Sequence, residues 1–294
     1  MKHFAVLKRY SAMAVLGLAC IAAGCATAPA VGTGRSFKGP VGIQLYSLRG
    51  QFTRNTVETV KTVQGFGIHE VELAGSYNLK PEVFGQMLKD AGLVPVSAHV
   101  AFERLRDDPE GAAKEAQMYG LKYLGCAWIP HQGKFDVDQA KAAAAVFNRA
   151  GQVFAKYGIK CFYHCHGYEF EASNGTTAMD ILMQETNPSL VSFEMDILWV
   201  VFPGEDPVKW FKKYGARWEL VHLKDLKKGV ATGSPSGGTD QNNDVAIGTG
   251  QMNWPAILQA ARQAGVKHYF IEDESASSVT QIPQSLSFLS QVTW

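Results

Sequence analysis

From Pro40 onward, short apolar runs alternate with stretches whose apolar positions recur every three or four residues. Val41-Gly-Ile-Gln-Leu45 reads as a strand, after which Asn55 caps a helix with Glu58 in its first turn and Val57, Val60 and Val63 as its apolar stripe. Gly65 and Gly67 end that helix, and Ile68 to Leu73 forms the next strand. The unit then recurs. A helix from Pro81 to Gly92 precedes strand Val94 to His99, and one near Glu110 to Tyr119 precedes strand Leu121 to Trp128. A long helix capped at Asp136 and closed by Gly158 leads to strand Lys160 to His166, and a helix around Thr177 to Gln184 leads to strand Leu190 to Asp196. A helix opened by Asp206-Pro207 and closed by Gly215 leads to strand Trp218 to Lys224. A helix from Pro255 to Ala264, strand Lys267 to Glu272 and a helix ending near Gln291 complete the series. About eight βα units without a nucleotide-binding glycine loop predict an α/β fold, a single (β/α)8 TIM barrel over residues 40–294, in preference to an open doubly wound sheet. Lys227 to Gln251 is the one long irregular loop; it follows the seventh strand and is expected to act as a lid.

Ahead of the barrel, Lys2, Lys8 and Arg9 precede an apolar run from Ala12 to Ala23 that is too short to cross a bilayer, a secretory-signal pattern. It ends in Ala22-Ala23-Gly24-Cys25, which resembles the processing site of bacterial lipoproteins. Residues 1–25 are therefore expected to be a signal peptide with Cys25 as the lipidation site, and the product to be exported, periplasmic and membrane-bound only through its lipid. Residues 26–39, small and polar, are expected to be a flexible tether. Of the five cysteines, Cys20 leaves with the signal, and Cys126, Cys161 and Cys165 fall in apolar runs as buried free thiols.

With 46% apolar and 19% charged residues the chain can build one sizeable core, and Lys plus Arg (28) balance Asp plus Glu (27). No net field favours nucleic acid or an anionic membrane, so the expected partner is a small, weakly charged molecule. A homo-oligomer is compatible with the sequence.

Metal-capable and polar side chains gather at the C-terminal ends of the proposed strands: Gln44 and Tyr46, Glu72, His99, His164 and His166, Asp196, His222 and Lys224, and Glu272. In a barrel those ends meet at one mouth. Period-two alternation places His164 with His166, and His222 with Lys224, on common faces. Imidazoles and carboxylates sharing a mouth suit a borderline divalent cation.

The ordered motifs Gly42-Ile-Gln-Leu-Tyr-Ser-Leu-Arg49, Tyr163-His-Cys-His-Gly-Tyr-Glu-Phe170, Phe193-Glu-Met-Asp196, His222-Leu-Lys-Asp225 and Ile271-Glu-Asp273 resemble those of the xylose isomerase-like TIM barrels, often labelled sugar phosphate isomerases/epimerases. The resemblance implies one divalent metal (Mn, Co, Zn or Mg) on His164, Asp196, His222 and Glu272. It implies proton abstraction next to the carbonyl of a keto-sugar or keto-glycoside through an enediolate that the metal stabilises. His166 is the favoured base, with Glu169 and Glu272 as alternatives; Lys224 would neutralise oxyanion charge; Gln44, Tyr46, Glu72, His99 and Trp199 would bind the sugar. His164 stands where epimerising members carry Glu, and the Tyr-His-x-His-x-x-Glu-Phe pattern is similar to a branch linked to 3-keto-glycosides. Three readings follow: isomerase or epimerase, a lyase that cleaves by elimination, and a non-catalytic sugar-binding lipoprotein. No phosphate-binding motif is evident.

Overall fold

The computed structural model describes Met1 and residues 32–173 and 175–294. Apart from Met1, the expected signal segment, Cys25 and the first part of the expected tether lie outside the described residues.

Eight strands close into a parallel barrel: β1 (Val41–Gln44), β2 (Glu70–Leu73), β3 (Val94–His99), β4 (Tyr123–Cys126), β5 (Lys160–His164), β6 (Val191–Asp196), β7 (Trp218–Leu223) and β8 (His268–Ile271). Each pairs with its neighbour in sequence, and β8 returns to β1 through Val41↔Tyr269 and Ile43↔Ile271. Helices return the chain between strands, starting where the capping residues stand. The Asn55 side chain accepts from the Glu58 N–H at 3.1 Å, and Asp136 with Gln139 forms a reciprocal capping box for the longest helix, Val137–Ala155. The outer core lies between strands and helices, where Val63, Leu88, Phe147, Phe154, Phe193, Trp218 and Leu258 are buried, and Cys126, Cys161 and Cys165 are buried free thiols.

The barrel lumen is layered. Its apolar middle is Val96, Tyr123, Phe162, Leu220 and Phe270. Gly42 permits that layer, because a Cβ there would lie 2.6 Å from the Phe270 ring. Below it, Glu219 holds the N-terminal end together, accepting from Tyr123 Oη and Lys267 Nζ at 2.8 Å each and pairing with Lys160. Above it, two residues on from Phe162, Leu220 and Phe270, stand His164, His222 and Glu272.

Two features depart from the sequence expectation. Residues 32–39 pack on the barrel instead of forming a free tether: Phe37 is buried edge-on against Tyr269, with ring centroids 5.1 Å apart. A short helix, Ile197–Val201, follows β6 directly because Asp196 caps it through the Trp199 N–H at 3.1 Å. No helix among the described residues is long and apolar enough to cross a membrane.

Candidate active site

β5, β6, β7 and the residue after β8 each send one side chain to the mouth, and one donor atom apiece from His164, Asp196, His222 and Glu272 lies within 4.8 Å of the others. His222 Nδ1 is 3.1 Å from His164 Nε2 and 3.2 Å from Glu272 Oε2; Asp196 Oδ2 is 3.5 Å from His164 Nε2 and 3.7 Å from His222 Nδ1. Donors held tetrahedrally at the ~2.1 Å bond length of a small divalent ion are about 3.4 Å apart, so this set has the spacing of a first coordination sphere. Asp196 Oδ2 is buried and accepts no hydrogen bond from the described residues. Asp196, Asp244 and Glu272 are buried around Lys224, and against burial the carboxylates about His222 hold that imidazole above its ordinary range. A cation bound in place of that proton would offset the same buried negative charge. Burial opposes ionisation of Asp196 and Glu272, yet Lys224 and the neighbouring imidazoles hold both carboxyls below the ordinary range.

A second polar layer lies directly beneath. Glu72 is fully buried and accepts from Gln44 Nε2 and Ser97 Oγ at 2.6 Å each, while His222 Nε2 is 2.7 Å from its Oε1. His99 Nε2 bridges Glu194 at 3.0 Å and Glu72 at 3.2 Å. Gln44 and Glu72 therefore do not reach the cavity where they were expected to bind sugar hydroxyls, since protein donors and acceptors consume their polar atoms below its floor. His99 and Tyr46 do line the cavity.

The cavity above the donor set has a volume of about 490 Å3. His166 is on its wall, two residues beyond His164, with its buried Nδ1 free of hydrogen bonds to the described residues. Burial, then the neighbouring His164 and Lys224, push this imidazole down to about 3. Trp199 is only 4% exposed, with His166 stacked on it and Lys224 Nζ 5.5 Å from its ring, so it props the wall instead of offering an open face to a sugar. Trp128 and Tyr46, 43% and 42% exposed, are the open aromatic faces.

Glu169 is placed otherwise than expected for a base. Gly167, at φ 103°, turns the chain so that the Glu169 carboxylate points behind the wall. There it accepts from Tyr163 Oη and, at 2.9 Å, from the His166 N–H. Burial pushes its carboxyl up to about 7 against these hydrogen bonds. Lys224, expected to neutralise oxyanion charge, has its ammonium paired with Glu272 at 3.2 Å, Glu274 at 2.5 Å and Asp244 at 3.6 Å. Burial works against that charge, but these carboxylates hold it well above its ordinary range.

Part of the long loop lines the cavity. Asp225–Leu226 pairs antiparallel with Asp244–Val245, and Gly237, Gly238, Thr239, Gln241 and Asp244 line the wall between them. Sequence reasoning did not select Asp244, Glu194 or Glu274. Nothing periodic marks a loop residue such as Asp244, whereas Glu194, two before Asp196 on β6, was signalled by alternation.

The sequence profile of a family described as xylose isomerase-like TIM barrel matches residues 60–292. An inosose dehydratase of Clostridium tetani (strain Massachusetts / E88) is 35% identical over 97 residues, 33% of this chain and 32% of that protein. The chain thus matches the first curated relatives over about a third of their length. A sugar phosphate isomerase/epimerase from Parabacteroides distasonis ATCC 8503 aligns with a TM-score of 0.72 at 24% identity, covering 84% of this chain and 92% of that one. An IOLI protein with a bound zinc atom aligns with a TM-score of 0.66 at 12% identity, covering 85% and 94%. At these identities the two structures establish a shared fold.

Proposed function

Because the chain belongs to the xylose isomerase-like TIM barrel family, we propose that it is a divalent-metal-dependent enzyme that removes the proton beside the carbonyl of a keto-sugar or keto-glycoside and completes the reaction by elimination. The observation that carries this reading is the convergence of His164, Asp196, His222 and Glu272 on one point, with His166 on the cavity wall beside them. The zinc atom of the IOLI protein supports the metal, and two imidazoles among the donors favour Zn, Co or Mn over Mg. The dehydratase names of the curated relatives support elimination over isomerisation. So does His164: a proton shuttle between two glutamates needs one on the fifth strand, where this chain has His164.

A bound divalent ion supplies Lewis acidity toward a carbonyl oxygen, which acidifies the adjacent C–H. The remaining work falls to the chain. His166, held between Trp199 and Trp128 on the cavity wall, takes the proton. The electron pair of the broken C–H bond forms the new C=C bond, the C–O bond at the next carbon breaks with its pair going to the oxygen, and that oxygen takes the proton back from His166. His99 and the loop residues Thr239 and Gln241 orient hydroxyls, and the loop with Trp128 shields the reacting atoms from water. Export and a lipid at Cys25 belong to the same proposal and rest on the N-terminal sequence alone; mass spectrometry of the mature N-terminus tests them.

The deciding experiment incubates metal-loaded protein with an inosose, a 3-keto-glucoside and a free ketose in deuterium oxide and follows the products by NMR. Loss of water or of an aglycone supports elimination. Solvent exchange that ends in an epimer or isomer would replace it with the isomerase reading, and no exchange with any of them would leave a sugar-binding protein.

A further inference from the structure

His222 belongs to two donor groups at once. Its Nδ1 is in the upper set with His164, Asp196 and Glu272, and its Nε2 is in the lower set with Glu72, His99 and Glu194. The spacings overlap, and the upper set reaches further. In the lower set each nitrogen faces a carboxylate oxygen at hydrogen-bond length: His222 Nε2 is 2.7 Å from Glu72 and 3.2 Å from Glu194, and His99 Nε2 is 3.2 Å and 3.0 Å from the same two. In the upper set the separations run from 3.1 to 3.7 Å, and the shortest is between two ring nitrogens. A common ion joins two lone pairs in that way, whereas a hydrogen bond needs one of them protonated.

We infer that Glu72 is a positioning residue that fixes the tautomer of His222, holding its proton on Nε2 so that the Nδ1 lone pair is presented to the metal; this rests on the metal-dependent reading above. A neutral imidazole carries one N–H. With the proton on Nε2, that N–H donates to Glu72 and Nδ1 is a ligand. With the proton on Nδ1, a hydrogen would point into the ion's place, and the Nε2 lone pair would face the Glu72 Oε1 lone pair at 2.7 Å. With the ion bound the second arrangement is repulsive at both ends; without it the Nε2 end alone is, since an Nδ1–H finds Glu272 Oε2 at 3.2 Å. Glu72 cannot swing away to relieve it, because Gln44 and Ser97 hold its two oxygens from β1 and β3. Four strands thus set the orientation of one ligand, and carboxylates that hold a metal-bound histidine in this way raise its basicity and its affinity for the ion.

The test uses the full chain and the metal alone. Zn2+ is titrated into metal-free protein, the bound ion is counted, and the His222 ring nitrogens of the loaded protein are read by 15N NMR. The same titration is done on Glu72→Gln, which keeps the side chain's shape. The expected result is one ion per chain, a protonated Nε2 and an unprotonated Nδ1 in the wild type. Affinity for the ion should fall about 10- to 100-fold in the variant, while the melting temperature of its metal-free form changes little. A proton on Nδ1 of the loaded wild type, or affinity unchanged both in Glu72→Gln and in Glu72→Leu, which removes both oxygens, overturns the inference while leaving the metal centre standing. Two ions per chain also overturn it, since the lower set would then be a site itself. A wild type that binds no ion removes the metal-dependent reading and this inference with it. The NMR measurement on the wild type decides the tautomer even if the variant does not fold.

Discussion

The imidazole of His166 lies almost flat against the indole of Trp199, with ring centroids 4.5 Å apart and planes 22° from parallel. Trp128 closes the other side edge-on at 5.3 Å, so packing aims this ring. If His166 is the base, His166→Ala lowers solvent exchange at the substrate carbon by about 10²- to 10⁴-fold and leaves metal content unchanged. Trp199→Ala keeps the base but loosens its aim, and a loss of roughly 10-fold is expected, mostly in kcat. Deuterium incorporation by NMR checks both; wild-type exchange in His166→Ala would assign the proton transfer to another group.

Metal binding should show as stability. An ion that binds only the folded protein stabilises it by about 2.7 kcal/mol at a free concentration 100 times its Kd. In a domain of this size that raises Tm by roughly 5–10 °C. His164→Ala removes one of the four donors and should abolish most of the rise. Thermal scans with Zn2+, Co2+, Mn2+ and Mg2+, before and after chelation, measure it; a flat response to all four ions contradicts the metal centre.

The barrel was legible because its signals are local and repeated. Asn55 and the Asp136/Gln139 pair mark helix starts, and the ends of the apolar runs put His164, Asp196, His222 and Glu272 where a closed sheet brings strand ends together, although it took the family resemblance to single out these four as ligands. Depth was not legible. Gln44 and Glu72 carry the same end-of-strand signal as His99, but cross-lumen hydrogen bonds to Ser97 and His222 draw them beneath the floor. Glu169 follows His166 so closely that only the left-handed turn at Gly167 separates a wall residue from one behind the wall. Asp244 reaches the site through the ribbon it forms with Asp225–Leu226, a pairing that no periodicity announces.

That ribbon is anchored by one carboxylate. Asp225 accepts from the Gly248 and Gly250 N–H groups, from Met252 N–H and from Trp254 Nε1, at 2.8 to 3.3 Å. Asp225→Ala leaves these donors unsatisfied, and a loss of about 1–3 kcal/mol is expected, concentrated in the loop. Hydrogen exchange should quicken between residues 227 and 251 before it does so in the barrel strands, and KM should rise more than kcat falls. Uniform acceleration across the barrel would show that Asp225 supports the whole fold and not the loop.

At the opposite end of the lumen, Glu219 makes stability depend on pH. Burial opposes its charge, but hydrogen bonds from Lys160, Lys267 and Tyr123 outweigh burial and lower its pKa below the ordinary carboxylate value. A depressed folded-state pKa means that between the two values the unfolded chain binds the proton and the native chain does not, so stability falls as pH falls. The contribution is complete above pH ~4.5, where the unfolded glutamate is ionised, and disappears as pH drops through the lower folded value. Glu219→Gln should therefore cost about 1–3 kcal/mol at pH 7, the worth of hydrogen bonds to a charged group, discounted toward the lower end by partial solvent screening of the two lysines. Urea unfolding of both proteins at pH 7, 5 and 3.5 measures it, and the gap between them should narrow in acid. A gap that stays constant across this range would mean that Glu219 stabilises the barrel by packing rather than by charge.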